Sequence, residues 1–289
     1  MDRNRLKAVN FLVIASILWS IAGFLIKLID LNAMAIAGFR SGIAAIIIFM
    51  YMKMIIPGKW KTKLTKIKLL GACSYAANSL LFILANKLTT SANAILLQFT
   101  APIWVALFCR WFLKEKVRKS DWAAIFAVMF GMLLFFIGDL KTGHIIGNII
   151  SIISGIGMAG FVILAKLETE DEPVELVLIG NIINFVICLP FCFGSLSYIT
   201  ADSVLLLIIF GVFQLGIPYI LYTEAIKHVS SLEAILITVL EPLLNPVWVY
   251  FITDESPGIL AVIGGSIVIL AVLIRGIYQT KVNNQVLNL

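Results

Sequence analysis

Charged residues are scarce in this sequence. Aspartate, glutamate, lysine and arginine together make up 13% of its 289 residues, whereas soluble domains carry about 25%. Hydrophobic residues reach 61%, so a folded chain of this composition could not cover its surface with polar groups. The composition therefore excludes a soluble protein and predicts an integral membrane protein.

Groupings of catalytic or metal-binding residues are also missing. The sequence contains no HExxH motif, no GxSxG motif and no paired aspartates within an apolar segment. Its four cysteines lie in apolar segments without a histidine or acidic neighbour, which predicts free, buried thiols rather than a metal site. We therefore expect no enzymatic activity, no metal and no cofactor. No glycine-rich phosphate loop points to a bound nucleotide either.

Long polar stretches are absent, and the basic residues fall in short loops between apolar segments. The net charge of +6 is thus spread along the chain, which argues against a nucleic-acid partner. If the N-terminus is cytoplasmic, most lysines and arginines in the loops lie on the cytoplasmic side, as orientation in a membrane requires. The sequence predicts a multi-pass protein of the cytoplasmic (inner) membrane with both termini in the cytoplasm.

Long apolar segments are abundant instead. A helix needs about 20 apolar residues to cross the hydrocarbon core. Ten segments of suitable length follow one another, at 8–28, 33–55, 67–87, 91–112, 121–138, 146–167, 174–195, 203–226, 230–252 and 258–277.

Residues 83–115 and 223–255 repeat one another in a constant register of 140 residues, which places Pro102 onto Pro242. Ten helices in two copies leave five per copy, and an odd number forces the second copy into the membrane upside down. The predicted fold is an all-α integral membrane protein with ten transmembrane helices in a five-plus-five inverted repeat, divided into halves 1–140 and 141–289. Such repeats are typical of secondary transporters.

Several short motifs resemble the EamA domain of the drug/metabolite transporter superfamily. In the first half they are Pro102, Leu113-Lys114-Glu115-Lys116-Val117, Asp121-Trp122 and Gly131; in the second they are Leu240-Glu241-Pro242, Thr253-Asp254-Glu255 and Gly264-Gly265. The resemblance implies a ten-helix carrier with a central cavity, most often an exporter of amino acids or related small metabolites. One departure concerns Arg40, which Gly180-Asn181 replaces in the second copy, so we expect an asymmetric site.

Arg40 is the most informative single residue. It lies seven residues into the second segment, about 10 Å from its outer end. A charge at such depth costs at least a few kcal/mol unless it faces a cavity or a partner. It is a candidate ligand for a substrate carboxylate or phosphate. The alternatives are a structural ion pair and an interfacial position.

Glu241 lies at a similar depth in the ninth segment. Thr238 and Asn245 share its helical face, and this polar stripe is hard to explain as a lipid contact. Pro242 frees a backbone carbonyl, as suits a cavity lining. Glu241 is a candidate substrate ligand and carrier of a coupling proton; the alternative is a fixed pair with Arg40.

The remaining candidates for substrate binding are polar or aromatic side chains within apolar segments. They are Trp19, Asn78, Gln98, Gln214, Tyr219 and Tyr222. Taken together they predict a polar central cavity, although each alone could serve a hydrogen bond between helices. Near the cytoplasmic end of the eighth segment, Glu224 and Lys227 predict an interfacial ion pair.

The function predicted from these residues is secondary transport of amino acids or related zwitterions by alternating access, with export implied by the family resemblance alone. The alternatives are an organic cation held by Glu241, or a phosphorylated metabolite held by Arg40. A subunit of a larger complex would not explain two halves with polar residues at matching depth, and a channel would require repeated polar rings. We expect a lipid-embedded monomer or weak homodimer.

Overall fold

The computed structural model describes residues 3–58, 64–114, 117–138, 140, 142–168, 172–244 and 258–287. Within these ranges the chain is largely helical. Numbered in chain order, its helices are α1 (Arg3–Trp19, continued by Ala22–Leu28), α2 (Ala33–Ile55), α3 (Lys66–Leu88), α4 (Ser91–Leu113), α5 (Lys119–Phe136), α6 (Ile145–Leu167), α7 (Val174–Ser195), α8 (Ala201–Ile226), α9 (Ser231–Ile237, with a further helical turn at 240–244) and α10 (Ile259–Leu287).

Eight of these helices, α2 to α8 and α10, are long and apolar enough to cross a membrane. They agree with the predicted segments to within a few residues. Helix α1 is interrupted after Trp19, and only the first half of α9 lies within the described residues. The second half of the predicted ninth segment, which contains Asn245, lies outside them.

Two helices change their hydrogen-bonding period along their length. The end of α4 (Cys109–Leu113) and the middle of α8 (Phe210–Gly216) are π-helical. A π turn holds one more residue than an α turn and is frequent at functional sites. In α8 it contains Gln214 and precedes Pro218, which cannot donate a backbone hydrogen bond.

The helices pack in pairs that relate the two halves of the chain. Helix α2 packs on α7, and α5 packs on α10. Helix α3 packs on α6, while their counterparts five helices away, α8 and α1, also pack on each other. These pairings are the ones a pseudo-twofold relation between the halves requires. At the middle of this arrangement α1, α2, α3, α4, α6, α8 and α9 surround a common space.

Helix α6 approaches its neighbours closely because it carries glycines on that face. A Cβ atom on Gly155 would lie 2.6 Å from the backbone oxygen of Gln98, and one on Gly157 would lie 3.1 Å from the backbone nitrogen of Asn78. Small residues at such contacts let helix backbones pack closely in membranes. The glycines thereby bring α3, α4 and α6 together beside the central space.

All four cysteines are free, as predicted. Cys109, Cys188 and Cys192 are buried, but Cys73 is exposed, so the prediction of burial is wrong for that residue. Its apolar surroundings in the sequence come from a lipid-facing stretch of α3 rather than from the interior.

Candidate functional site

Seven helices line one cavity near the middle of the bundle. Its lining combines one guanidinium and one carboxylate with amide, hydroxyl, aromatic and aliphatic side chains. The lining residues are Trp19, Arg40, Asn78, Ser79, Phe82, Gln98, Met158, Gln214, Leu215, Tyr219 and Glu241. Such a mixture of apolar walls and a few polar groups is typical of small-molecule sites.

Arg40 is held in the wall by α3 and α8. Its Nη2 donates to the backbone oxygen of Ser79 at 3.0 Å and to Ser79 Oγ at 2.8 Å, and its Nη1 donates to Gln214 Oε1 at 3.1 Å. The ring of Phe210 lies 4.9 Å from the guanidinium carbon, a favourable cation–π distance. Arg40 is only 2% exposed. These contacts allow a charge to stay buried within the membrane.

Glu241 faces the cavity without such support. No ion pair within 4.0 Å joins it to Arg40, and its carboxylate makes no hydrogen bond to any side chain in the described part of the chain. The alternative of a fixed Arg40–Glu241 pair is therefore wrong for this structure. Helix α9 turns at Thr238 and Val239, immediately before the segment that carries Glu241.

Three neutral side chains, Gln98, Asn78 and Ser154, form a hydrogen-bonded triad at one wall of the cavity. Gln98 donates its amide to Asn78 Oδ1 at 2.9 Å and to Ser154 Oγ at 3.0 Å. The Ser154 hydroxyl also lies 3.0 Å from the backbone oxygen of Asn78. All three side chains are buried. Both hydrogens of the Gln98 amide are thus used, and its carbonyl oxygen remains as an acceptor at the cavity.

An aromatic cluster lies beside the cavity toward the end of the bundle where α8 finishes. Tyr219 contacts Trp19 at 4.9 Å and Tyr75 at 4.7 Å between ring centroids. Phe161 and Tyr222 complete the cluster at 5.9 Å from one another. Tyr222 lies four residues before the end of α8, about 6 Å along the axis. The rings fill the interior between the cavity and this end.

Ion pairs tie the helices together at the same end. Arg5 of α1 pairs with Glu233 of α9, and Lys227 contacts Glu172 at 2.6 Å and Glu224 at 2.9 Å. The predicted Glu224–Lys227 pair is therefore confirmed. Burial lowers the pKa of Lys227, but hydrogen bonds and attraction from both carboxylates outweigh it, so the pKa lies above its ordinary value of 10.5.

A different kind of contact occupies the equivalent place at the opposite end. Asn93, which aligns with Glu233 in the 140-residue register, donates to Asn148 of α6 at 3.2 Å. The Thr89 hydroxyl donates to the same oxygen at 2.9 Å. Like Arg5 in α1, Asn148 lies near the start of its helix. One end of the bundle thus has a neutral amide contact where the other has an ion pair.

The structure brings together seven of the ten residues predicted for the site: Trp19, Arg40, Asn78, Gln98, Gln214, Tyr219 and Glu241. Tyr222 and Thr238 are not among the lining residues. Tyr222 belongs to the aromatic cluster, and the Thr238 hydroxyl donates to the backbone oxygen of Ile235. Asn245 lies outside the described residues.

The site residues predicted from the sequence did not include Ser79, Phe82, Met158, Leu215 or Ser154. The signal for Ser154 was present, because Ser151, Ser154 and Gly155 interrupt an isoleucine-rich stretch of α6. Met158 and Leu215 resemble ordinary core residues, and nothing in their sequence surroundings marks a cavity.

A bundle of membrane-spanning helices around a central cavity with two opposite charges defines a membrane transport protein. The EamA-like transporter family matches this chain twice, over residues 6–137 and 145–276. The chain belongs to the EamA-like transporter family, within the drug/metabolite transporter superfamily. This family is a family of transporters and not a class of enzymes. Its members are multi-pass proteins of the inner membrane, and so is this chain.

Individual relatives agree with this assignment. A protein of Clostridium kluyveri called an uncharacterized transporter is 24% identical over 218 residues, which cover 68% of this chain and 67% of the relative. The pseudopaline exporter CntI of Pseudomonas aeruginosa is 22% identical over 263 residues, which cover 90% of this chain and 92% of the relative.

A solved crystal structure shares the fold. It superposes with a TM-score of 0.78 at 12% sequence identity, covering 95% of this chain and 98% of the other. At this identity the similarity speaks for the fold alone.

Proposed function

We propose that this protein is a secondary transporter that moves an amino acid or a related zwitterion across the cytoplasmic membrane by alternating access. The observation that carries the proposal is the presence of Arg40 and Glu241 in one cavity without an ion pair between them. Two opposite charges that do not neutralise each other offer separate contacts to a carboxylate and an ammonium group. We propose export as the direction, since one relative is called an exporter.

Alternating access follows from an inverted repeat, which we propose for the halves 1–140 and 141–289 with both termini in the cytoplasm. The packing of equivalent helices supports it: α2 packs on α7, and α5 packs on α10. In addition, α3 packs on α6, and their equivalents α8 and α1 pack on each other. Cysteines introduced at Asp30, just before α2, and at Lys53, near its end, test the orientation in a variant that lacks the four native cysteines. A membrane-impermeant maleimide applied outside should label the first and not the second. The reverse pattern would place the termini outside.

Glu241 is also the group we propose for a coupling proton. Arg40 and Tyr219 are the other titratable side chains in the cavity lining, and Arg40 is already engaged. A proton and a substrate ammonium would then compete for one carboxylate, which links their movements in opposite directions. In proteoliposomes, an imposed proton gradient should drive substrate against its own gradient in the parent protein but not in Glu241→Gln. Equal accumulation in both would remove Glu241 from coupling.

The substrate class is tested by binding to the detergent-purified protein. Thermal-shift measurements would compare proteinogenic amino acids, organic cations and sugar phosphates. We expect amino acids to raise the melting temperature. The stabilisation should weaken in both Arg40→Ala and Glu241→Gln. A response to sugar phosphates alone would overturn the proposal.

An organic cation is the second candidate. It is favoured because Glu241 has no side-chain partner among the described residues and shares the cavity with the rings of Trp19 and Tyr219, which can add cation–π attraction. The cavity is less suited to binding a phosphorylated metabolite. A phosphate needs several donors, whereas the one cation in the described lining already donates to Ser79 and Gln214.

A further inference from the structure

We infer that the cavity recognises the amine of its substrate first, and that the substrate carboxylate is dispensable. Primary amines that lack a carboxylate should therefore be ligands alongside the corresponding amino acids. This inference rests on the proposed function and narrows its substrate class. It follows from how many contacts each charged side chain has left for a ligand.

Arg40 has little left to offer. A guanidinium has five N–H donors. Three of them already donate to Ser79 and Gln214, at 2.8–3.1 Å. Its Nε is buried without a hydrogen-bond partner, and so it does not reach the cavity. One N–H of Nη1 remains. A carboxylate could then accept a single hydrogen bond and not the two parallel bonds that make arginine a strong carboxylate ligand.

Neutral groups do not replace the lost donors. The Gln214 amide, whose oxygen is taken by Arg40, can supply N–H groups of its own. A neutral hydrogen bond is about half as strong as a charge-assisted one. The carboxylate of a substrate would therefore be held by one charged donor and by weaker neutral donors of the lining, in place of the water it gives up.

Glu241 offers both of its oxygens. It makes no hydrogen bond to a side chain in the described ranges, and it lines the same cavity as Trp19 and Tyr219. An ammonium group has three donors and can reach the carboxylate, the free carbonyl oxygen of Gln98 and an aromatic ring. The amine thus gains a full ion pair, while the carboxylate gains a single charge-assisted hydrogen bond from a guanidinium whose Nη2 and one Nη1 hydrogen the protein already uses.

Two sets of three compounds distinguish the contribution of the amine to binding from that of the carboxylate. They are leucine, 3-methylbutylamine and 4-methylpentanoate, and tyrosine, tyramine and 3-(4-hydroxyphenyl)propanoate; in each the side group is kept while the carboxylate or the amine is removed. We would measure dissociation constants for the purified full chain by isothermal titration. In the triplet that binds, loss of the carboxylate should weaken binding by less than about tenfold, and loss of the amine by about 100-fold.

Two variants distinguish a contact from a fold effect. Glu241→Gln keeps the size of the side chain and should abolish the preference for amines. Ser79→Ala removes one acceptor from Arg40 and frees an Nη2 N–H, so it should strengthen binding of the amino acid relative to the amine by severalfold. A gain of binding cannot arise from misfolding.

The outcomes separate this inference from the proposed function. Binding of the amino acid and the amine without the acid supports both. Binding of the amino acid with the acid, or of the amino acid alone, overturns the inference and leaves a zwitterion transporter. Binding of the amine alone keeps the inference but overturns the zwitterion class. Binding of none of the six compounds overturns both.

Discussion

Arg40 and Glu241 line one cavity, but the protein holds them differently. Arg40 is fixed by three hydrogen bonds from two neighbouring helices and by an aromatic ring. Glu241 follows a break in α9 and has no side-chain partner among the described residues. The guanidinium is thus part of the wall before a ligand arrives, whereas the carboxylate still requires a partner. A charged residue deep in a membrane can therefore serve the fold or the ligand, and its partners show which.

The largest effect should come from Glu241→Gln, which should reduce the affinity for the amino acid that binds by about 100-fold, because the ammonium loses its ion pair. Titration calorimetry on the purified variant measures it. Glu233→Gln is the matched control, since Glu233 pairs with Arg5 at the end of the bundle and does not line the cavity. Equal losses in both variants would show that Glu241 acts through the fold.

Arg40→Leu should act mainly on stability. The substitution leaves Ser79 and Gln214 with buried acceptors that have lost their donor, at a cost of about 3 kcal/mol. Glu241→Leu should leave the melting temperature unchanged or raise it, because it removes a carboxylate that has no side-chain partner in the described part of the chain. Melting temperatures in detergent test this contrast. A larger loss for Glu241→Leu would reverse the roles assigned to the two charges.

Gly155→Ala should disturb the neutral triad of Gln98, Asn78 and Ser154. The added Cβ would lie 2.6 Å from the backbone oxygen of Gln98, and overpacking of this kind costs about 1–3 kcal/mol. Gly194→Ala in α7 is its control, since nothing lies within 4 Å of the corresponding Cβ. The first variant should melt at a lower temperature and the second should not. Similar melting of both would mean that α6 can move away from α4 at little cost.

The smallest effect on stability should come from changing the contacts of Lys227, whose ammonium group pairs with two carboxylates. Because the pKa of Lys227 is raised on folding, its contribution to stability is fully present below about pH 10.5 and is lost as the pH rises through the folded value. Glu172→Gln should lower this folded pKa. The melting temperature of the variant should therefore fall at a lower alkaline pH than that of the parent. Superimposable profiles would exclude this pair as a source of stability.

Much of this fold could be predicted from the sequence, because hydrophobic length and spacing report directly on membrane helices. The segments at 33–55 and 174–195 coincide with α2 and α7. The break in α1 after Trp19 and the π turn in α8 were not predicted. Both depend on local backbone hydrogen bonds, which apolar composition does not record.

The candidate site could be predicted in part, since polar residues within apolar segments mark the interior. The position of Arg40 and Glu241 along their helices indicated a similar depth in the membrane, which suggested that the two side chains could pair. It could not supply the rotation and tilt that place Arg40 against Ser79 and Gln214 instead. Tyr222 would share a helical face with Gln214 in a regular α-helix, but Gln214 lies within the π-helical segment and Tyr222 lies beyond it. The added residue per turn changes which side of α8 faces the cavity.

The two contacts that occupy equivalent places at opposite ends of the bundle respond differently to dissolved salt. Mobile ions at physiological strength screen charges over about 8 Å. They weaken the pair of Arg5 with Glu233 only slightly, because its side chains are 12% and 6% accessible and buried pairs are screened less. The amide contact between Asn93 and Asn148 carries no net charge and is not screened. Of these two helix contacts, only the one beside the N-terminus is therefore sensitive to the ionic strength of the solution that bathes it.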